Sequence, residues 1–203
     1  MEKELYDSYV NILKVELVPA MGCTEPISIA YASALAKKYM IDDILEVKLS
    51  ISSNIIKNVK SVVVPNTGGL KGIYAAASCG ILFGDSDKEL QVISNVKENS
   101  KEKIEEFIKN TNFSLEESKL NNNFDINITL IGKTHSSQVR IVGKHTNICL
   151  IKQDDNVILE KDFNNFTKET VVDRSFMNVK DIISFANEVN LEDVKETLER
   201  QIE

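Results

Sequence analysis

The chain has 203 residues, 42% of them hydrophobic and 27% charged, with only 8 Gly and 3 Pro. That is the composition of a globular chain able to bury roughly 70% of its unfolded surface in one large or two small cores. The net charge of −7, from 24 scattered Lys and Arg against 31 Asp and Glu, excludes nucleic-acid binding through a bulk basic surface. No apolar run approaches the ~18 residues of a membrane helix.

Residues 2–17 carry Leu5, Tyr9, Ile12, Leu13 and Leu17 at helical spacing, and Pro19 biases Val18 out of the helical region. The opening MEKELYDSYV has neither a basic segment nor an apolar core, so it does not read as a signal peptide. Its three cysteines, Cys23, Cys79 and Cys149, are odd in number and far apart, which is no disulfide framework and predicts a reducing cytoplasm.

After Met21-Gly22-Cys23-Thr24-Glu25-Pro26, residues 27–39 (ISIAYASALAKKY) predict a helix of small residues that packs closely in the centre of the molecule. Thr24 is a candidate N-cap, and Pro26 falls in the first turn, where its missing N–H costs nothing. Residues 46–52 alternate as a half-buried strand. Residues 61–64 predict a short apolar strand and 65–69 (PNTGG) a turn. A second Ala-rich helix is expected over 70–83, a strand over 90–95, and a charged amphipathic helix over 100–110.

Beyond residue 120 the period changes to 2. Residues 125–131, 137–142, 147–152 and 157–161 are separated by turn residues and predict an antiparallel meander. A polar loop over 163–178 and helices over 179–189 and 191–202 complete the chain. The fold class is α/β in content and α+β in arrangement. Ala-rich buried helices pack with a mixed or antiparallel sheet, and the strand meander is followed by two helices, in one domain over 1–203.

Cys23 is the first candidate for chemistry. A lone free cysteine is as readily an inert packing thiol. The setting adds two things: Gly22 lets backbone approach closely, and the positive end of the following helix favours thiolate. Thiolate serves both nucleophilic attack and soft-metal ligation. Cys79 inside a helix and Cys149 between Ile148 and Leu150 read as packing residues.

Asn66, Thr67, Gly68 and Gly69 precede a helix, where unpaired N–H groups can cradle an anion; a plain turn reads equally well. The stretch is neither a Walker A loop nor GxGxxG, and a carboxylate suits it better than a nucleotide. Asn54 and Asn58, four apart, share a face if helical. His145 in GKHTNI is a candidate base or hydrogen-bond partner, although a turn histidine is the commoner case. Glu25 either orients the Cys23 loop and moves a proton, or sits in the first turn as a solvated carboxylate favoured by the helix dipole. No CxxC, HExxH or clustered His pattern supports a zinc site.

The strings VPAMGCTEPISIAYASALA, SNIIKNVKSVVVPNTGGLKGIYAAASCGILFGD and KHTNI resemble the N-terminal half of the L-cysteine desulfidase / serine dehydratase alpha-chain-like family. The likeness runs through about residues 10–95, with a weaker echo near 135–150. It implies an oxygen-sensitive [4Fe–4S] lyase, without pyridoxal phosphate. Such an enzyme converts L-cysteine to pyruvate, ammonia and hydrogen sulfide, or L-serine to pyruvate and ammonia. It also implies Cys23 as a cluster ligand, with the remaining ligands in a C-terminal half that this chain lacks. The chain alone is therefore not expected to assemble the cluster. Its expected partners are a small amino-acid substrate and the missing half or a partner chain, and a homodimer is compatible with the composition. By the same resemblance Asn54, Asn58, Asn66, Thr67, Gly68 and Gly69 are candidates for substrate binding, and Glu25 and His145 for proton transfer. Two other functions fit the residues. One is a cluster-free thiol enzyme with Cys23 as nucleophile and His145 as base; the other is a module that docks a partner or binds a ligand without turnover.

Overall fold

The computed structural model describes residues 1–97, 100–162 and 173–201. They divide into two compact units. One comprises Met1–Pro19 and Asn165–Glu203, the other Ala20–Asn164.

The first unit is helical. Helix α1 (Lys3–Glu16) and the C-terminal helices α6 (Val179–Glu188) and α7 (Leu191–Glu199) surround a small core of Tyr9, Val10, Phe185 and Val194. Tyr9 stacks on Phe185 with ring centroids 5.1 Å apart, within the range where aromatic pairs attract beyond simple burial. Asn178 and Asn190 cap α6 and α7 by accepting hydrogen bonds from the N–H groups of Asp181 and Glu192. The polar loop predicted over 163–178 lies outside the described residues for 163–172, as does the end of the last predicted helix at residue 202.

The second unit holds the larger core. Helix α2 (Thr24–Lys38) buries ten of its fifteen residues, and α4 (Gly72–Phe83) buries nine of twelve. They are apolar nearly all round, as internal helices are. Small residues set how closely they approach: a Cβ built on Gly80 of α4 would lie 2.1 Å from the Ala30 carbonyl oxygen of α2. The C-terminal end of α2 is tied to the sheet, where Ser137 Oγ donates to Ala36 O at 2.8 Å and Gln153 Nε2 donates to Tyr39 O at 3.0 Å.

The sheet has six strands in the order β2-β1-β3-β4-β5-β6. They are β1 (Glu46–Ile51), β2 (Asn112–Glu117), β3 (Asp125–Ile131), β4 (Ser136–Val142), β5 (Ile148–Gln153) and β6 (Asn156–Glu160). Only β1 and β2 run parallel; every other pair is antiparallel. Alternation sends Val47, Leu49 and Ile51, then Ile126, Ile128 and Leu130, then Val139 and Ile141, into the core, with β3 and β4 lying under α2. Between β1 and β2 the chain passes through α3 (Ser53–Val59), α4, a 3₁₀ segment (Ser86–Gln91) and α5 (Lys101–Asn110). No helix among the described residues is long and apolar enough to cross a membrane.

The mixed sheet, the meander and the closing helices agree with the fold class expected from the sequence. Five local features differ from expectation. Residues 61–64 form no strand and contribute only the isolated bridge between Val63 and Lys71. Residues 90–95, expected as a strand, complete the 3₁₀ segment and a turn, with Leu90, Val92 and Ile93 buried. Residues 53–59 form α3, and 112–117 form the unpredicted edge strand β2. Helix α2 starts at Thr24 with Cys23 as its N-cap, so Thr24 is not the cap.

Candidate functional site

One end of the sheet gathers the C-termini of β1, β2 and β4 and the N-termini of β3 and β5. The N-terminus of α2, helix α3 and the loops 118–124 and 143–147 belong to this end. Here four of the residues singled out from the sequence meet. Cys23, exposed at the N-cap of α2, donates its S–H to Glu25 Oε2 at 3.0 Å. Asn58 Nδ2 reaches the other carboxylate oxygen, Oε1, at 3.3 Å. His145 joins through Thr24: its Nε2 lies 2.8 Å from Thr24 Oγ1. Phe124 packs against the His145 ring in a T-shaped contact with centroids 4.6 Å apart.

The charges in this group are coupled. Burial, and then the hydrogen bond to Glu25, push the Cys23 thiol above its usual range. The positive end of α2 was expected to favour thiolate, but here a carboxylate accepts the S–H and keeps the proton on sulfur. The same bond, with help from Asn58, holds Glu25 below the ordinary carboxylate range. Burial depresses His145, partly offset by the Glu25 charge, so a neutral imidazole is favoured. A neutral ring with Nε2 unprotonated can accept the Thr24 hydroxyl hydrogen.

The remaining candidates adjoin this group without a hydrogen bond to it among the described residues. Asn54 shares α3 with Asn58, and the PNTGG turn abuts the Cys23 loop, where a Cβ built on Gly22 would lie 3.6 Å from Pro65 Cγ. Thr67 is fully buried and donates to Val64 O at 2.7 Å, so its hydroxyl hydrogen closes its own turn. Asn66 sits at φ 60° and donates to Ile93 O at 3.0 Å. Gly68 and Gly69 take φ of +67° and +90°, a conformation that L side chains rarely adopt, and both are exposed. None of the side-chain hydrogen bonds of Asn66 or Thr67 reaches Cys23, Glu25 or His145. Asn54 is exposed one turn from Asn58 and lines a polar cavity of about 260 Å³ with Ser52, Ser53, Ser118 and Asn123.

Two residues of the site were not singled out by the sequence. Thr24 had been read only as a cap, and Phe124 falls in the approach to a strand, where an aromatic carries no chemical signal of its own. Its partner His145 is 21 positions along the chain, across the β3–β4 hairpin.

Cysteine placement bears on what the site can hold. Cys79 and Cys149 are fully buried, and burial raises both, Cys79 to about 12. Cys23 is thus the only exposed thiol of the three. It fits one ligand position of an iron–sulfur cluster, while the other positions need ligands from outside this set. No group of three or more His, Cys, Asp or Glu among the described residues is arranged to hold a metal ion.

No family model matches the chain, and no solved structure matches it. Curated proteins do. A UPF0597 protein of Desulfitobacterium hafniense (strain Y51) is 45% identical over 198 residues, covering 98% of this chain and 46% of that protein. A UPF0597 protein of Treponema denticola is 39% identical over 204 residues, covering 100% of this chain and 47% of that protein. A UPF0597 protein of Lachnoclostridium phytofermentans is 41% identical over 199 residues, covering 98% and 48%. The chain spans about half the length of the curated relatives it matches. Its homologues, aligned along nearly all of its own length, are UPF0597 proteins.

Proposed function

We propose that this chain is part of an iron–sulfur-dependent amino-acid lyase, acting on L-cysteine or L-serine, in which Cys23 supplies one ligand to a [4Fe–4S] cluster. The observation that carries the reading is the exposed Cys23 thiol at the start of a buried helix, with Glu25, Asn58, Thr24 and His145 assembled around it. The resemblance of the GCTEP and PNTGG segments to the desulfidase and serine dehydratase alpha-chain family supports it. So does the length of the relatives, which leaves about half of each to bring further ligands.

The chain's own residues have distinct parts in this reading. Glu25 is placed to receive the proton that Cys23 must lose on becoming a ligand, and Asn58 steadies that carboxylate from its other oxygen. His145, kept neutral by burial, is the candidate base for the substrate Cα proton. Asn54 and the polar cavity beside it offer hydrogen-bonding groups to the substrate. A bound cluster would supply a Lewis-acidic iron site for the substrate's leaving group. The cluster-free thiol reading is less well supported, because Cys23 is hydrogen-bonded to Glu25, and His145 to Thr24.

The test is anaerobic reconstitution with iron and sulfide. It uses the chain alone and the chain mixed with the half of the Desulfitobacterium relative that it does not cover. Bound iron and pyruvate from L-cysteine and L-serine are measured. Cluster absorbance with turnover in the mixture, both lost in Cys23→Ala, is the expected result. Turnover that survives Cys23→Ala or needs no iron overturns the proposal, and ligand-induced thermal stabilisation without turnover favours a binding module instead.

A further inference from the structure

The contacts around His145 extend into a second network, on the loop from 118 to 124. Asp125, at the end of that loop, is fully buried, and Arg140 grips its carboxylate with two bonds, Nε to Oδ1 at 2.8 Å and Nη2 to Oδ2 at 2.7 Å. A buried charge in this bidentate geometry is a fixed point. Ser118 Oγ donates to the same carboxylate and accepts from Leu120 N, anchoring the start of the loop. Ser52 Oγ donates to Asn123 O at 2.9 Å, and Ser52 N donates to Asp125 O at 2.9 Å, fastening its end to the β1–α3 junction. Within the loop, Asn122 Oδ1 accepts from Phe124 N at 2.9 Å. Finally, Gly143 N donates to Phe124 O at 2.8 Å, joining the loop to the turn that carries His145.

We propose that the 118–125 segment is a positioning device for His145: Asp125, held by Arg140 and Ser118, fixes the loop, and Phe124 at its end sets the imidazole so that Nε2 meets Thr24. The inference rests on the assignment of His145 to the site. Phe124 touches the ring, whereas Ser118, Asp125 and Arg140 act only through the loop. An imidazole attached to an exposed turn has free rotation about two side-chain bonds. A T-shaped aromatic neighbour on one side and a hydroxyl partner on the other remove that freedom. The tie between Gly143 and Phe124 makes the two loops move as one body. The same loop walls the polar cavity beside Asn54, so the ring and the cavity are set by one clamp.

The chain has two histidines, so a proton NMR titration resolves each imidazole in the full chain. His135 lies at the opposite end of β4 and serves as an internal control. In Phe124→Leu the His145 resonance is expected to move. Its midpoint should shift upward toward the ordinary value of about 6.5, because the ring loses its cover. The His135 midpoint should stay in place. Phe124→Tyr should restore both His145 values. Ser118→Ala, which keeps the Asp125, Arg140 and Phe124 side chains but frees the start of the loop, should loosen the aromatic contact and shift His145 in the same direction by a smaller amount, and it keeps the test available if Phe124→Leu fails to fold. Unchanged His145 resonance and midpoint in folded Ser118→Ala and Phe124→Leu overturn the proposal. Pyruvate formation is then followed against pH in the reconstituted mixture. An acid limb that moves with the His145 midpoint supports both readings. A limb that stays still while the midpoint moves keeps the positioning role and removes His145 as the base.

Discussion

Cys23 and Glu25 sit two residues apart at the first turn of α2 with their side chains bonded to each other, sulfur to carboxylate oxygen, at 3.0 Å. A thiol at a helix N-terminus is ordinarily pushed toward thiolate by the partial positive charge of the free N–H groups. Here burial, and then the hydrogen bond to the Glu25 carboxylate, outweigh the dipole, and the proton stays on sulfur. The site therefore holds a protonated thiol whose S–H is directed at an ionised carboxylate.

Replacing Glu25 tests this balance. Glu25→Gln removes the charge that opposes ionisation of Cys23, so that burial alone is left to work against the helix dipole. Alkylation of Cys23 by iodoacetamide at neutral pH should become several-fold faster, since each pK unit is about a tenfold change in thiolate fraction. Mass spectrometry of the labelled peptides measures it, with Cys79 and Cys149 unreactive until the protein is denatured. A slower reaction in Glu25→Gln would mean that the carboxylate activates the thiol.

The contact between α2 and α4 sets where the site can be. Gly80→Ala places a methyl group against the Ala30 carbonyl, at a distance no real pair adopts, so the helices must part. Overpacking of this kind costs about 1–3 kcal/mol, and the backbone neighbour puts this site at the upper end. Gly69→Ala provides the comparison: nothing lies within 4 Å of its Cβ, and only the φ of +90° is unfavourable, a cost of about 1 kcal/mol. Urea denaturation of both variants should rank them in that order. Equal losses would show that α2 and α4 have slack at Gly80.

The Asp125–Arg140 pair makes a third prediction. Arg140→Met leaves a fully buried carboxylate without its cation, which costs about 3 kcal/mol or more. Asp125→Asn in the same chain removes the uncompensated charge. The double variant should then be more stable than Arg140→Met alone. Denaturation midpoints of the two singles and the double close the cycle, and additive losses would mean that the two side chains do not sense each other.

What the sequence made legible follows from where burial dominates. The meander could be read because its strands alternate between core and solvent, and α2 and α4 because long runs of Ala and Ile have nowhere else to go. Helix α3 was hidden because SNIIKNVKSVVV is rich in branched residues that suit strands. Its seven residues turn helical to bury Ile55 and Val59 one turn apart. Strand β2 was hidden for the opposite reason: its residues are mostly exposed, and pairing with β1 makes it a strand. Residues 90–95 imitate a strand because Leu90, Val92 and Ile93 are all buried, but the chain turns to bury them. At the site, Cys23 and Glu25 were visible as neighbours in sequence. The approach of Asn58, Thr24 and His145 depends on how α3 and the β4–β5 turn fall around α2, which no local pattern encodes. From sequence the Asn66–Gly69 turn reads as an anion cradle or a plain turn alike, because both need glycines with positive φ, and the bond from the Thr67 hydroxyl to Val64 O becomes visible only in the fold.

The two histidines should respond to pH in opposite directions. The Asp154 carboxylate, which His135 Nδ1 meets at 2.9 Å, raises His135 above its ordinary value near 6.5. The folded state then holds the proton more tightly than the unfolded one. Its contribution is fully present below about pH 6.5 and is lost as pH rises through the higher folded value. Burial lowers His145, so the unfolded state protonates first, and stability is lost as pH falls from about 6.5 through the lower folded value. Gln at either position removes the titration. Relative to the natural chain, His135→Gln should cost more at about pH 5 than at about pH 8, because only the acid condition holds its ion pair. His145→Gln should cost less at about pH 5 than at about pH 8, because the natural chain has by then spent energy keeping a buried imidazole neutral or charging it. Thermal midpoints of the three proteins at both pH values decide it. If the two substitutions shift the midpoint with the same pH trend, His145 is not buried as its contacts with Phe124 and Thr24 require.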